Sequence, residues 1–214
     1  LMYKKPFGDF VLKCDVKMPP KCNSGIFFRT GNPKNPVQTG FEVQIMNSKG
    51  TGRHDFGAIY DLVAPTKNNL KPTGQWNTVE IKCVGPNIYV TVNGELITKL
   101  NCDKWTIPGK RLDGSKHKFR KAIKDFPRSG YLGFQDHGAK VWYRNIKVLD
   151  LSKKKRTFKS ASGRVRSKAD GPGVTILTTL LSEETLVMQQ NGERTAGSRM
   201  SETSGAMIDA ADRK

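Results

Sequence analysis

Glu42, Gln44, Gln135 and His137 are residue types that move protons or hold hydroxyl groups, and each sits in a short run that reads as a β-strand. Residues two apart in a strand share a face. In GFEVQIM (40–46), Phe41, Val43 and Ile45 take one face, which leaves Glu42 and Gln44 on the other. In GYLGFQDHG (130–138), Leu132 and Phe134 point one way, while Tyr131, Gly133, Gln135 and His137 point the other. In SGIFFRT (24–30), Ile26 and Phe28 read as core, leaving Phe27 and Arg29 on the second face. Three strands therefore each pair an apolar face with one that carries functional groups. Gly25, Gly40 and Gly133 clear space between those groups. A carboxylate and an imidazole serve proton transfer or metal ligation. Amides such as Gln44, Gln135 and Asn23, with Arg29, suit sugar hydroxyls, and Phe27, Tyr60, Tyr131 and Trp76 offer rings for stacking on sugar faces. Taken singly, each residue has a plainer reading: Glu42 as a strand carboxylate paired with a Lys or Arg, His137 as a structural histidine, Trp76 as a core anchor. Asp136 and Gly138 are ordinary turn residues. It is the combination on three strands that points to a site.

The elements that must position these residues are short strands punctuated by Gly, Pro and Asn. FVLKCDVKM (10–18) alternates and stops at Pro19-Pro20. Strands follow at 24–30, 40–46, 57–63, 76–84 and 87–100, and the last two span 130–135 and 140–151. Asn93-Gly94 between alternating runs marks a hairpin. The parity of Arg144-Asn145 conflicts with a buried Ile146 and Val148, which predicts a bulge there. Regular spacing with no amphipathic helix argues an all-β, antiparallel sandwich. Residues 103–128 form a basic loop that the pattern leaves unassigned.

The 214 residues carry a net charge of +18 with only 36% apolar content, so part of the chain is not expected to pack. From Ser152 to Lys168 there are eight basic residues and no acidic one. Lacking a basic helix or an aromatic-basic RNA motif, the chain reads as a solvated basic surface rather than a nucleic-acid binder. Residues 1–151 are one domain. Residues 152–214 are a basic, low-complexity tail, mostly disordered by composition, with one helix expected over 175–190. Cys14, Cys22, Cys83 and Cys102 show no metal-ligand spacing, and fit either disulfides or buried thiols. No apolar run reaches the length of a membrane span. No signal peptide is visible in these residues, and the sequence leaves the oligomeric state open.

Read in order, FGDFVLKCDVKMPPKCNSGIFFR, GFEVQIMN, TGRHDFGAIYDLVAP, GQWNTVEIKCVG, VNGELI and GYLGFQDHGAKVWYRNIKV resemble the 3-keto-disaccharide hydrolase domain family, from Phe7 to Leu151. The resemblance implies a concanavalin-like jelly-roll sandwich, a periplasmic or secreted setting, and a chain that begins after the family's first strands, leaving a sheet edge open. It also implies chemistry on sugars oxidised at C3. The ketone acidifies the C2–H, a base removes that proton, the C1 substituent leaves by elimination, and water adds. Such a reaction needs a base, a stabiliser for the enolate oxygen and an acid. A divalent metal can be the stabiliser. Glu42 and His137 are placed at the centre as base and as metal ligand or acid, in either order, with Arg29 polarising sugar oxygens. Gln44, Gln135, Tyr60, Trp76 and Asn23 are expected to bind the substrate. A non-catalytic carbohydrate-binding module is the alternative on the same fold. A polyanion binder working through 152–168 is a third reading.

Overall fold

In the computed structural model the described residues are 1–152, together with the backbone of two short strands at 184–185 and 206–208. Strict alternation makes β1 (Phe10–Lys17), where Phe10, Leu12, Cys14 and Val16 are buried and the intervening residues look outward. The same two-residue period builds β4 (Trp76–Val84) and β5 (Asn87–Val92). β5 turns at Asn93-Gly94, both at positive φ, into β6 (Glu95–Asn101). Positive φ at both central residues is the backbone of a tight hairpin that keeps the strands' twist. With β8 (Val141–Asp150) and the short β9 (Glu184–Thr185) and β10 (Ala206–Ile208), these strands form one antiparallel sheet. Its order is β10-β8-β1-β4-β5-β6, with β9 also on β8. The helix expected over 175–190 lies outside the described residues except at Glu184–Thr185, which are extended.

A smaller antiparallel sheet is built from β2 (Asn23–Thr30), β3 (Phe41–Met46) and β7 (Tyr131–Phe134), in the order β3-β2-β7. Residues 1–7 pair along the free edge of β7, through Tyr3 N–H to the Leu132 carbonyl and Phe7 N–H to the Gly130 carbonyl, each at 2.8 Å. The two sheets face each other across a core in which Phe10 meets Phe28 and Phe134 meets Tyr143, with ring centroids 6.3 and 4.5 Å apart. The Tyr143 hydroxyl satisfies its polarity on the Ser24 hydroxyl, 2.9 Å away, on the opposite sheet. This is the jelly-roll sandwich. All four cysteines are free and buried, and burial pushes the Cys22 and Cys83 thiols up to about 11 and about 12. Among the described residues, no helix is long and apolar enough to cross a membrane.

Three departures from strict alternation matter. The expected bulge in β8 is present, with Asn145 at φ +52 and a shifted register against β1. The run 57–63 is not a strand: it turns at Asp61, whose φ is +57, and pairs with β3 through the bridge Ile59–Val43 and the Gly57 N–H on the Gln44 carbonyl (2.9 Å). Finally, β2 slips register against β7 between Phe27 and Thr30, with Arg29 at φ +47. A left-handed residue reverses the side-chain alternation, so Arg29 leaves the polar face it was expected to share with Phe27. It is fully buried instead, donating to the carbonyls of Gly8 (3.3 Å) and Gly85 (2.8 Å) and to the Asp9 carboxylate (3.0 Å). Arg29 ties the start of β1 to the β4–β5 turn. Replacing it leaves partly buried carbonyls and the Asp9 carboxylate without their donor, so Arg29→Met should lower unfolding free energy by roughly 3 kcal/mol in urea titrations. A loss of less than about 1 kcal/mol contradicts this structural assignment.

Candidate active site

The face of the small sheet turned away from the core carries Asn23, Gly25 and Phe27 of β2, Glu42 and Gln44 of β3, and Gly133 of β7. Cross-strand register sets Gly25 against Gln44 and Phe27 against both Glu42 and Gly133. Gly25 is needed for its missing side chain: a Cβ there would overlap the Glu42 carboxylate, which lies across it. Gly133 is covered in the same way by the Met2 thioether. The Gln44 amide donates to the Asn23 side-chain carbonyl at 2.7 Å, so two of the expected sugar-binding amides form one pair. Gln135 is held by its backbone, with its N–H on the Gly25 carbonyl at 2.8 Å, and its side chain is half-buried.

The other wall comes from the 53–61 segment, which runs along the edge of β3. Tyr60 N–H donates to the Glu42 carbonyl at 2.9 Å, fixing Tyr60 beside Glu42. The Tyr60 ring lies 4.8 Å from the His54 ring, and the Lys118 ammonium stands 3.8 Å over it. Asp61 explains why a residue from the unassigned 103–128 loop arrives here. Its carboxylate accepts from the Arg111 guanidinium and, at 2.8 Å, from the Lys118 backbone N–H. Its backbone carbonyl also accepts from Arg111, at 2.7 and 3.1 Å, and His54 Nε2 lies 3.6 Å from the carboxylate. A charge-assisted cluster of this kind fixes two loops against each other.

Glu42 is 6% exposed and accepts no hydrogen bond from any described residue. Burial pushes its carboxyl up to about 7, against a smaller pull downward from the Lys118 charge. Removal from water disfavours the charged form, and no donor is present to offset it. A carboxylate near 7 is half-ionised at neutral pH, which suits a general base.

Glu42, Gln44, Asn23 and Tyr60 thus come together, with Gln135 bordering Gly25. Arg29 does not join them, for the reason given above. Trp76 sits on the outward face of the large sheet, under the Arg144 guanidinium (4.0 Å) and the Lys17 ammonium (5.1 Å). Its strand joins the large sheet beside β1, so the ring does not reach the face that carries Glu42. His137 is exposed in the loop after β7, which ends at Phe134. Strand parity therefore does not extend to it, and no hydrogen bond, ion pair or ring contact joins it to a described residue. Among the described residues, no three His, Cys, Asp or Glu side chains cluster as metal ligands. The residues missed were His54, Asp61, Arg111 and Lys118. His54 and Asp61 lie in the TGRHDFGAIYDLVAP run, but Arg111 and Lys118 lie in a loop without periodicity.

The two antiparallel sheets, one with a polar outer face, define a jelly-roll sandwich. The chain matches the 3-keto-alpha-glucoside-1,2-lyase-like domain over residues 1–149 and belongs to that family. It is 24% identical over 189 residues to the 3-keto-disaccharide hydrolase of Bacteroides thetaiotaomicron, covering 71% of this chain and 61% of that protein. The chain therefore spans less than two thirds of that relative's length. Two crystal structures of Parabacteroides distasonis proteins, each provisionally assigned as a glycosyl hydrolase, are similar. The first has a TM-score of 0.66 at 29% identity, covering 70% of this chain and 82% of that one. The second has a TM-score of 0.56 at 25% identity, covering 70% and 75%.

The raised carboxyl has a stability consequence. Between about 4.5 and about 7 the folded state keeps a proton on Glu42 that the open chain has released, so stability falls as pH rises through this window. The deficit persists above it and corresponds to about 3 kcal/mol. Glu42→Gln cannot ionise, and should therefore exceed the parent in unfolding free energy by about 2–3 kcal/mol at pH 8 while matching it near pH 4. Urea unfolding at both pH values checks this, and a variant no more stable than the parent at pH 8 contradicts it.

Proposed function

We propose that this chain cleaves 3-keto-glycosides, with Glu42 as the base. The observation that carries the reading is a nearly buried carboxylate, without hydrogen bonds and poised near pH 7, on a face lined by amides and rings. Glu42 takes the C2 proton of a sugar oxidised at C3, and the electron pair moves toward the C3 oxygen as an enolate. The Lys118 ammonium, held over Tyr60, supplies positive charge for that oxygen. Collapse of the enolate re-forms the ketone and a C1–C2 double bond, breaking the C1–O bond. The leaving oxygen takes back the proton now on Glu42. Water then adds across C1–C2, its hydroxyl to C1 and its proton to C2, so the net change is hydrolysis. Stopping before that addition gives a lyase with the same machinery.

Gln44 and Asn23 are positioned for ring hydroxyls, with Tyr60 and Phe27 as apolar walls and Gln135 at the margin. The exposed His137 is given no proton-transfer role, and no step runs through a metal. A binding module on this fold would need only the amides and rings. It has no use for a desolvated carboxylate that weakens the fold at neutral pH, which favours the enzyme.

Incubating the protein with a 3-keto-disaccharide should release monosaccharide, with kcat/KM rising through pH about 7 and levelling above it. Glu42→Gln should lower kcat/KM by about a thousandfold while the protein stays folded. Turnover within tenfold of the parent would falsify the assignment of the base.

A further inference from the structure

A second recess lies at the edge of the large sheet, formed by the 62–64 turn, β5, β6 and the segment after Cys102. It measures about 540 Å³, within the range of small-molecule sites. No residue of the polar face of the small sheet lines it. The two regions share two segments of chain: one supplies Tyr60 to the candidate active site and Leu62, Val63 and Ala64 to this recess, the other supplies Lys118 to the former and Arg111, Leu112 and Asp113 to the latter.

Its charge is one-sided. Arg53, Lys99, Lys104 and Arg111 line it, against a single carboxylate, Asp113. Arg111 is committed to Asp61, and Arg53 pairs with Asp113 at 3.0 Å. Lys99 and Lys104 are exposed and have no carboxylate partner among the described residues. Two unpaired ammonium groups at a concave surface focus a positive potential into it. The remaining lining is of another kind. Tyr89 is half-buried on β5, next to the Asn87–Asn101 amide pair (2.9 Å), and Leu112 stands 61% exposed. A purely ionic site has no use for a ring, a fixed amide pair and an apolar floor, whereas a saccharide uses all three.

We propose that this recess binds an acidic sugar, a saccharide bearing a carboxylate or sulfate, with the anion on Lys99 and Lys104 and the ring against Tyr89. The anion-binding part stands on charge alone, and the sugar part draws on the carbohydrate reading of the chain. Neither requires turnover at Glu42.

Titration calorimetry of the full chain with trigalacturonate, a sulfated chondroitin disaccharide and maltotriose tests it. The two acidic sugars separate carboxylate from sulfate recognition, and at least one should bind more tightly than maltotriose. Reversing both charges, Lys99→Glu with Lys104→Glu, should weaken that binding about tenfold or more. Tyr89→Ala should weaken it as well, while turnover of a neutral 3-keto-disaccharide and the melting temperature stay at parental values. Equal affinity for maltotriose, unchanged affinity after charge reversal, or displacement of the sugar by an equal concentration of inorganic sulfate would each overturn the proposal.

Discussion

Both faces of the small sheet are out of water, and the rest of the molecule is arranged around that constraint. Every residue of β2 from Ser24 to Thr30, and of β3 from Phe41 to Ile45, is buried. One face is covered by the large sheet. The other is flanked by residues 1–3 and by the 53–61 segment, with Lys118 brought over Tyr60. A polar group on that second face must find a partner or bear the cost of desolvation. Gln44 finds Asn23, whereas Glu42 finds none, and its carboxyl is pushed up to about 7. At the site the fold thus leaves a desolvated carboxyl without a hydrogen-bond donor, and such departures from local consistency mark functional positions.

The constraint also explains why a loop contributes chemistry. Lys118 has no strand or helix to hold it; Asp61 does so, by accepting from its backbone N–H while gripping Arg111. Asp61 itself occupies a left-handed turn, which brings its carbonyl and its carboxylate to the same guanidinium. The cluster connects the wall beside Glu42 to the basic recess beyond the 62–64 turn, so a substitution at Asp61 or Arg111 would disturb both.

Much of this was legible in the sequence. Two-residue alternation is a local signal, and it placed Glu42 and Gln44 opposite the core in a strand where alternation is unbroken. The Asn93-Gly94 hairpin and the bulge near Asn145 were readable for the same reason. Arg29 was not, because a single left-handed residue inverts parity and nothing in SGIFFRT announces it. His137 lies three residues beyond the end of β7 at Phe134, so strand parity does not set where its side chain points. The neighbourhood of Trp76 depends on which sheet β4 joins, a long-range fact. Arg111 and Lys118 are placed by an ion pair and a backbone hydrogen bond to Asp61, fifty and more residues away, which periodicity does not encode. The ordered motifs located the family correctly while leaving the individual roles to geometry.

The central claim is that desolvation makes Glu42 a base poised for neutral pH. Carbon-13 NMR titration of the Glu42 side-chain carboxyl, assigned by its loss in Glu42→Gln, reads this directly. The account predicts a midpoint of about 7. A midpoint at the ordinary carboxylate value, near 4.5, would contradict it.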